Sequence, residues 1–528
     1  MGKLDAGATE RAAIGRGDSF GAILMSTIKK NILANLVGKT WSGLVWLVAL
    51  PIYLKFLGVE AYGLVGFYLT LTAVLMVLDL GFGPTINREL ARLSVQDGKR
   101  GQMRDVLRTL ESAYWAIALV VGAAMAAASP LIANHWLKPE SLAPEAVRNT
   151  VMLIVLTIAF QLPSALYTGG LSGLQRQVLL NVVSATVMTL RALGAVLVLW
   201  LVSPTPQAFF AWQLLMGIVH TAALSFCLWR NLPQPGHRAR FDLQLLKGLW
   251  RFSAGAWGIG LFGTLLVQMD KITLSAVLPL AAFGYYSVAA LVSSSLYYLI
   301  APISWSVFPR FAQLGGLRAG GELARTYHMS SQLAAVAILP AAVLVVLFPS
   351  EILWLWTRDA QVAQEGRIVL SLLMAGTALN ALVQLPNYLQ LASGLVKLGF
   401  YTNMSSAIIT VPCMFFFASR YGALGGAAVW LLLNLTHFVI VVPLMHRFLP
   451  ALETWRWYLV DTLLPLAVCI LILGMARWAM PEGQTDLVKV AYLGVALAAS
   501  YAGTIFSAPD IRKRALAWVN WKRPAQKT

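Results

Sequence analysis

Three cations stand inside apolar stretches long enough to cross a bilayer: Lys39, Arg191 and Lys271. A charge at the bilayer centre costs roughly 2.5–3.5 kcal/mol on insertion scales, so these side chains are expected to face protein or water. Buried cations of this kind can replace the hydration shell of an anionic group on a substrate; the alternatives are that Lys39 snorkels to the inner face and that Lys271 pairs with a neighbour. Carboxylates form a second set, in which Asp79, Asp270 and Glu111 are candidate proton or sodium sites. Asp270 and Lys271 are adjacent, and helix neighbours point about 100° apart, so one of them is expected to reach another helix. Asp79, followed by Leu80, Gly81, Phe82, Gly83 and Pro84, equally suits a helix end. A third set is neutral. Asn380, Gln384, Asn387 and Gly394, with Gln390 nearby, draw one polar stripe that binds either a neighbouring helix or a polar ligand. Gln161 opens a Gln-Leu-Pro that recurs at Gln384. Tyr297 belongs to a hydroxyl-rich stretch with Tyr285, Tyr286, Tyr298 and Ser293 to Ser295, suited to sugar contact or helix packing. His220 and His437 are read as interhelical hydrogen-bonding groups.

The elements that position these residues must be membrane helices. The 528 residues are 58% hydrophobic and 12% charged, with mean hydropathy +0.71, too apolar for a soluble fold. An all-α polytopic membrane protein is expected. The net charge of +18 reflects basic loops between spans, so nucleic acid is not the partner. Cys227, Cys413 and Cys469 lie in apolar runs without metal-ligand spacing, which gives neither a disulfide framework nor a zinc site. No nucleotide-binding, hydrolase or cofactor motif occurs, so neither an enzyme nor an ATP-driven pump is expected. Transport would be facilitated or ion-coupled. Residues 1–27 lack the apolar core and small-residue cleavage site of a removable signal peptide.

Fourteen spans are expected, at about 31–55, 62–83, 107–131, 149–173, 178–202, 207–229, 253–278, 283–308, 326–348, 368–394, 398–418, 424–445, 457–478 and 487–507. Most of the 40 Lys and Arg then fall on one side, which assigns both termini to the cytoplasm. The expected organisation is an N-terminal tail (1–30), an N-lobe of six helices (31–230), an amphipathic linker (231–252), a C-lobe of six helices (253–446), a final helix pair (457–507) and a basic tail (508–528). Linker and tail interleave Leu, Phe and Trp with Lys and Arg, which makes anionic membrane lipid their partner. Every connection is short, leaving no room for an extramembrane catalytic domain.

The lobes are copies. Leu57, Tyr62, Gly63, Ala91 and Leu93 recur as Leu278, Phe283, Gly284, Ala312 and Leu314, each 221 positions on. Six helices, an even number, separate each residue from its copy, so the lobes should face the same way about an axis along the membrane normal, with a cleft between them.

Leu57-Gly58, Tyr62-Gly63, Asp79 with Gly81, Arg88 with Ala91, Gly173 to Arg176, Asp270, Gly284 to Tyr286, Phe308 to Arg310 and Tyr421 to Ala428 resemble the polysaccharide, or O-antigen, flippases. These belong to the multidrug/oligosaccharidyl-lipid/polysaccharide exporter superfamily, and the resemblance spans about 31–507. It implies a V-shaped pair of lobes in the bacterial inner membrane that moves a polyprenyl-diphosphate-linked glycan by alternating access. Proton or sodium and the polysaccharide polymerase machinery are the further partners it implies. It also implies a cationic cavity, for which Lys39, Arg191 and Lys271 are the candidates. A lipid II-type flippase and an ion-coupled multidrug exporter of the same superfamily are the alternatives.

Overall fold

The computed structural model describes residues 6–75, 81–94, 96, 101–233, 238–316, 320–449, 452–481 and 483–521; side chains are described from residue 34 on, except 36, 39, 250–263, 265, 396, 515 and 517–521. The Lys39 side chain and Asp79 therefore lie outside the described residues. Every regular element described is helical: α1 (Ala6–Leu75), α2 (Phe82–Ser94), α3 (Gln102–Leu131), α4 (Pro144–Gln161), α5 (Ser164–Gly173), α6 (Gln177–Leu201), α7 (Pro206–Asn231), α8 (Leu243–Val277), α9 (Leu280–Ser294), α10 (Tyr297–Gly316), α11 (Gly320–Leu347), α12 (Pro349–Thr357), α13 (Ala360–Ala392), α14 (Val396–Thr436), α15 (Val442–Phe448), α16 (Thr454–Arg456), α17 (Leu464–Trp478), α18 (Asp486–Ser507) and α19 (Pro509–Trp521). Helices dominate because lipid offers no partner for backbone N–H and C=O groups, which must pair within their own segment.

Among the described residues, eleven helices are long and apolar enough to cross a membrane. Two of them are each broken by one glycine, Gly58 (φ 77°) in α1 and Gly422 (φ 59°) in α14, at the expected loops between spans. Both backbone conformations favour a residue without Cβ. Taking the arms of these two separately, and adding α8, gives the expected fourteen rods. The amphipathic linker is not a separate helix: Asp242 caps Leu243 by accepting from Gln244 N and Leu245 N, and α8 then runs unbroken to Val277. The two Gln-Leu-Pro copies also differ. Pro163 separates α4 from α5, whereas Pro386 stays inside continuous α13.

The halves meet at the Gly58 end of the bundle through matching residues. A Cβ on Gly63 would lie 2.4 Å from Leu280 O, and a Cβ on Gly284 2.3 Å from Val59 O. Gly63 and Gly284 are copies, and so by the same offset of 221 are Val59 and Leu280. Each half thus makes the same contact on the other, the signature of a two-fold axis between α1 and α9. Gly66 faces its own copy, Ser287, with Oγ at 2.1 Å from where a Cβ would stand. Small residues here allow two backbones to approach as they do in membrane interfaces. Indoles reinforce the junction: Trp136 donates to Ser275 Oγ (3.0 Å) and, from the other half, Trp356 to Leu47 O (3.0 Å).

The last two spans pack on α11 through buried polar groups. His328 Nδ1 lies 2.5 Å from Asp461 Oδ2, and Gln332 Nε2 donates to Asp461 Oδ1 at 2.8 Å. Asp510 N, at the start of α19, donates to Gln332 Oε1 at 2.9 Å. Both His328 and Asp461 are buried. Removing one partner of a buried pair strands the other, so Asp461→Ala is expected to cost about 3–5 kcal/mol, checked by thermal unfolding in detergent.

Candidate functional site

Arg191 lies midway along α6, and its backbone is fixed on both sides. Trp212 Nε1 donates to Arg191 O at 3.0 Å, and Tyr53 Oη donates to Ala192 O at 3.2 Å. Gly194 makes the first bond feasible, since a Cβ there would fall 2.0 Å from the Trp212 ring. Among the described residues, Arg191 Nε and Nη2 are buried without an acceptor. These two nitrogens form the side-on edge of arginine, the one that grips two oxygens of a carboxylate or phosphate at once.

Other donors converge on the same place. A Cβ on Gly217 would stand 3.1 Å from Gln161 Nε2 and 3.6 Å from Arg191 Nη2, so both side chains point at bare α7 backbone. Gln161, the last residue of α4, accepts from Tyr68 Oη at 3.1 Å and leaves its Nε2 unpaired. Gln213 and His220, one helical turn either side of Gly217, likewise have buried Nε2 atoms without partners. Unsatisfied buried donors cost about 1–3 kcal/mol each, and an anion would satisfy several together.

The second half presents a different chemistry. Lys271 turns back on its neighbour, with Nζ 3.3 Å from Asp270 Oδ1, and also donates to Val267 O at 3.4 Å. Its four-carbon stem closes the angle that separates adjacent helix positions. Asp270 accepts from Tyr286 Oη at 2.5 Å as well, so its carboxylate is engaged on two sides. Tyr297 Oη donates to Asn380 Oδ1 (2.8 Å), and Asn380 Nδ2 donates to Asn434 Oδ1 (2.7 Å). Gln384 accepts from Ser304 Oγ at 3.3 Å, and Asn387 is exposed. Asn380 and Gln384 of the stripe are thus turned to neighbouring helices. Glu111, in α3, accepts from Tyr167 Oη (2.7 Å), Trp229 Nε1 (3.1 Å) and Arg108 Nη1 (3.2 Å), apart from the Arg191 cluster. His437 pairs with Ser406 at 2.8 Å as expected, while His220 Nε2 has no partner among the described residues. Gln213, Tyr68 and Asn434 went unnoticed in the sequence; each is a polar residue in an apolar helix, which is the signal that could have found them.

Solved structures share this two-fold bundle of membrane helices. The lipid II flippase MurJ in its inward closed conformation aligns at TM-score 0.69 with 12% identity, over 92% of this chain and 100% of that one. An inward-facing multidrug resistance MATE family transporter of the MOP superfamily aligns at 0.65 with 13% identity, over 78% and 95%. An outward-facing MATE family transporter aligns at 0.53 with 14% identity, over 81% and 96%. Such identities speak for the fold. Residues 28–315, more than half of the chain, match the family model for polysaccharide biosynthesis proteins, and 262–416 match that for MatE. A search of curated proteins finds no match. The chain belongs to the polysaccharide biosynthesis protein family.

Proposed function

We propose that the protein is a flippase that carries a polyprenyl-diphosphate-linked oligosaccharide from the cytoplasmic to the periplasmic leaflet of a bacterial inner membrane by alternating access. The observation that carries this reading is the buried edge of Arg191, without an acceptor among the described residues, beside the unpartnered amide donors of Gln161 and Gln213. A site made of donors suits a diphosphate and repels an organic cation, which disfavours the multidrug reading. Of the buried carboxylates that could attract a cation, Asp270 is engaged by Lys271 and Tyr286, and Glu111 by Arg108, Tyr167 and Trp229. A lipid II-type substrate carries the same diphosphate and remains the second reading, favoured by the likeness to MurJ.

With both termini in the cytoplasm, the Gly63–Gly284 junction lies at the periplasmic end, and this conformation is closed toward the periplasm. Substrate would enter from the inner leaflet, place its headgroup between the lobes and leave its lipid tail in the bilayer. Moving negative charge out of an inside-negative cell gains roughly 2.3 kcal/mol per charge per 100 mV, so the potential favours export without nucleotide hydrolysis. Lys39 is proposed to extend the cationic lining, Asp79 to serve as an ion site, and the polymerase machinery to receive the product. In cells lacking the protein, one lipid-linked glycan is expected to accumulate in the cytoplasmic leaflet, detected by mass spectrometry of extracted carrier lipid. An unchanged carrier-lipid profile, or accumulated lipid II alone, would reject the oligosaccharide substrate.

A further inference from the structure

On the outer face of the first half, α3 and α7 stand apart and frame a groove floored by α4 and α5. Its cavity holds about 570 Å³ and is walled by Glu111, Ser112 and Trp115 of α3 and by Thr221 and Ala222 of α7, with Tyr167 beneath. Ser112, Trp115 and Ala222 are exposed, so the groove opens sideways from the bundle. It lies near the Arg108 end of the membrane, where α3 begins.

The internal two-fold supplies a counterpart. Arg108-Thr109 recurs as Arg325-Thr326 in α11, which places His328 where Glu111 stands; Trp212 and Gln161 recur as Trp430 and Gln384, which pairs α7 with the second arm of α14 and α4 with α13. In the second half the corresponding groove is filled by the chain itself. The span Thr454–Trp478 lies along α11, with Asp461 bonded to His328 and Gln332 and the Trp457 ring against Phe438 (5.3 Å) and His446 (6.0 Å). Thr462 and Leu466 of this span face Leu339 of α11 and Leu382 of α13 across what space is left. The chain provides one such helix and its two halves have two such grooves.

We propose that the α3–α7 groove is the docking site for a transmembrane helix of another membrane protein, held as Thr454–Trp478 is held in the second half. A helix fits better than a lipid for two reasons. Ser112, Ala116, Ala123 and Ala127 are exposed at helical spacing along α3 around one large side chain, Leu119, so a second helix would meet small residues about a single leucine knob. Glu111 also turns a buried carboxylate toward the groove wall, where Arg108, half exposed at the mouth, is the partner that an incoming side chain can replace. The chemistry inverts that of the second half: Asp461 comes to a histidine there, whereas a cationic or amide side chain comes to Glu111 here, one to two turns in from the interface. This inference is independent of the substrate.

The test places a photo-crosslinking amino acid at Ser112 or Ala222 of the full chain in its native membrane, with Leu197, exposed on α6, as control. One membrane protein is expected to be captured at Ser112 and Ala222 but not at Leu197, with the crosslink mapped within one of its transmembrane helices. That adduct should form again when the two purified proteins share a vesicle. Filling the groove by Ala222→Trp, at an exposed position, should lower the Ser112 adduct about tenfold or more. Adducts with lipid only, with a second copy of this chain, with the same proteins at Leu197, or insensitive to Ala222→Trp would overturn the proposal.

Discussion

Arg191→Met is expected to lower glycan export at least tenfold while leaving the folded protein as stable as before or more stable. The two halves of that result belong together. Nε and Nη2 of Arg191 are buried without acceptors, so the guanidinium carries a desolvation cost that no partner offsets. Methionine keeps much of the apolar stem and removes the orphaned donors, each worth about 1–3 kcal/mol. A structural arginine would behave in the opposite way, because its removal would strand a carboxylate; none pairs with Arg191 among the described residues. On the proposed reading export falls because a diphosphate would lose its bidentate partner, and tenfold corresponds to about 1.4 kcal/mol. The readouts are surface glycan in cells and thermal unfolding of the purified protein, measured on the same variant.

A disulfide between Gly66→Cys and Ser287→Cys is expected to stop export. These positions are copies of one another that face across the two-fold axis, and a Cβ on Gly66 would lie 2.7 Å from Ser287 Cβ. A disulfide prefers Cβ atoms about 3.8 Å apart, so a slight retreat of α1 from α9 accommodates it. The bond joins the halves beside the Gly63–Gly284 contact, and so, after that small retreat, it holds them together at this end. If substrate leaves at this end, the trapped protein cannot release it.

The glycines that build this junction were legible in the sequence because repetition exposed them. Gly63 and Gly284 stood out as copies before any contact was known, and the axis that relates them followed from counting helices. Gly58 was readable as a turn, since it separates two apolar runs. Arg191 was readable as a buried cation, because a charge in such a run is costly anywhere else. Its lack of a partner was not, for pairing depends on which helices surround α6. Lys271 illustrates the same limit: its proximity to Asp270 was evident, but the closure of the salt bridge depends on side-chain rotamers that a helical-wheel argument omits. His328 and Asp461 lie 133 positions apart, each alone in its run, and nothing local to either names the other. The α13 stripe was correctly seen as polar, yet only packing could assign Asn380 to Tyr297 and Gln384 to Ser304.

The central claim is that the two halves must part at the Gly58 end for a lipid-linked glycan to cross. The most direct measurement is the rate of glycan export in cells carrying the Gly66→Cys/Ser287→Cys variant, followed through oxidation and then reduction while crosslinking is scored by gel mobility. Export that falls in proportion to the crosslinked fraction, and returns on reduction, is the predicted outcome. Export at the uncrosslinked rate from fully crosslinked protein would contradict the account.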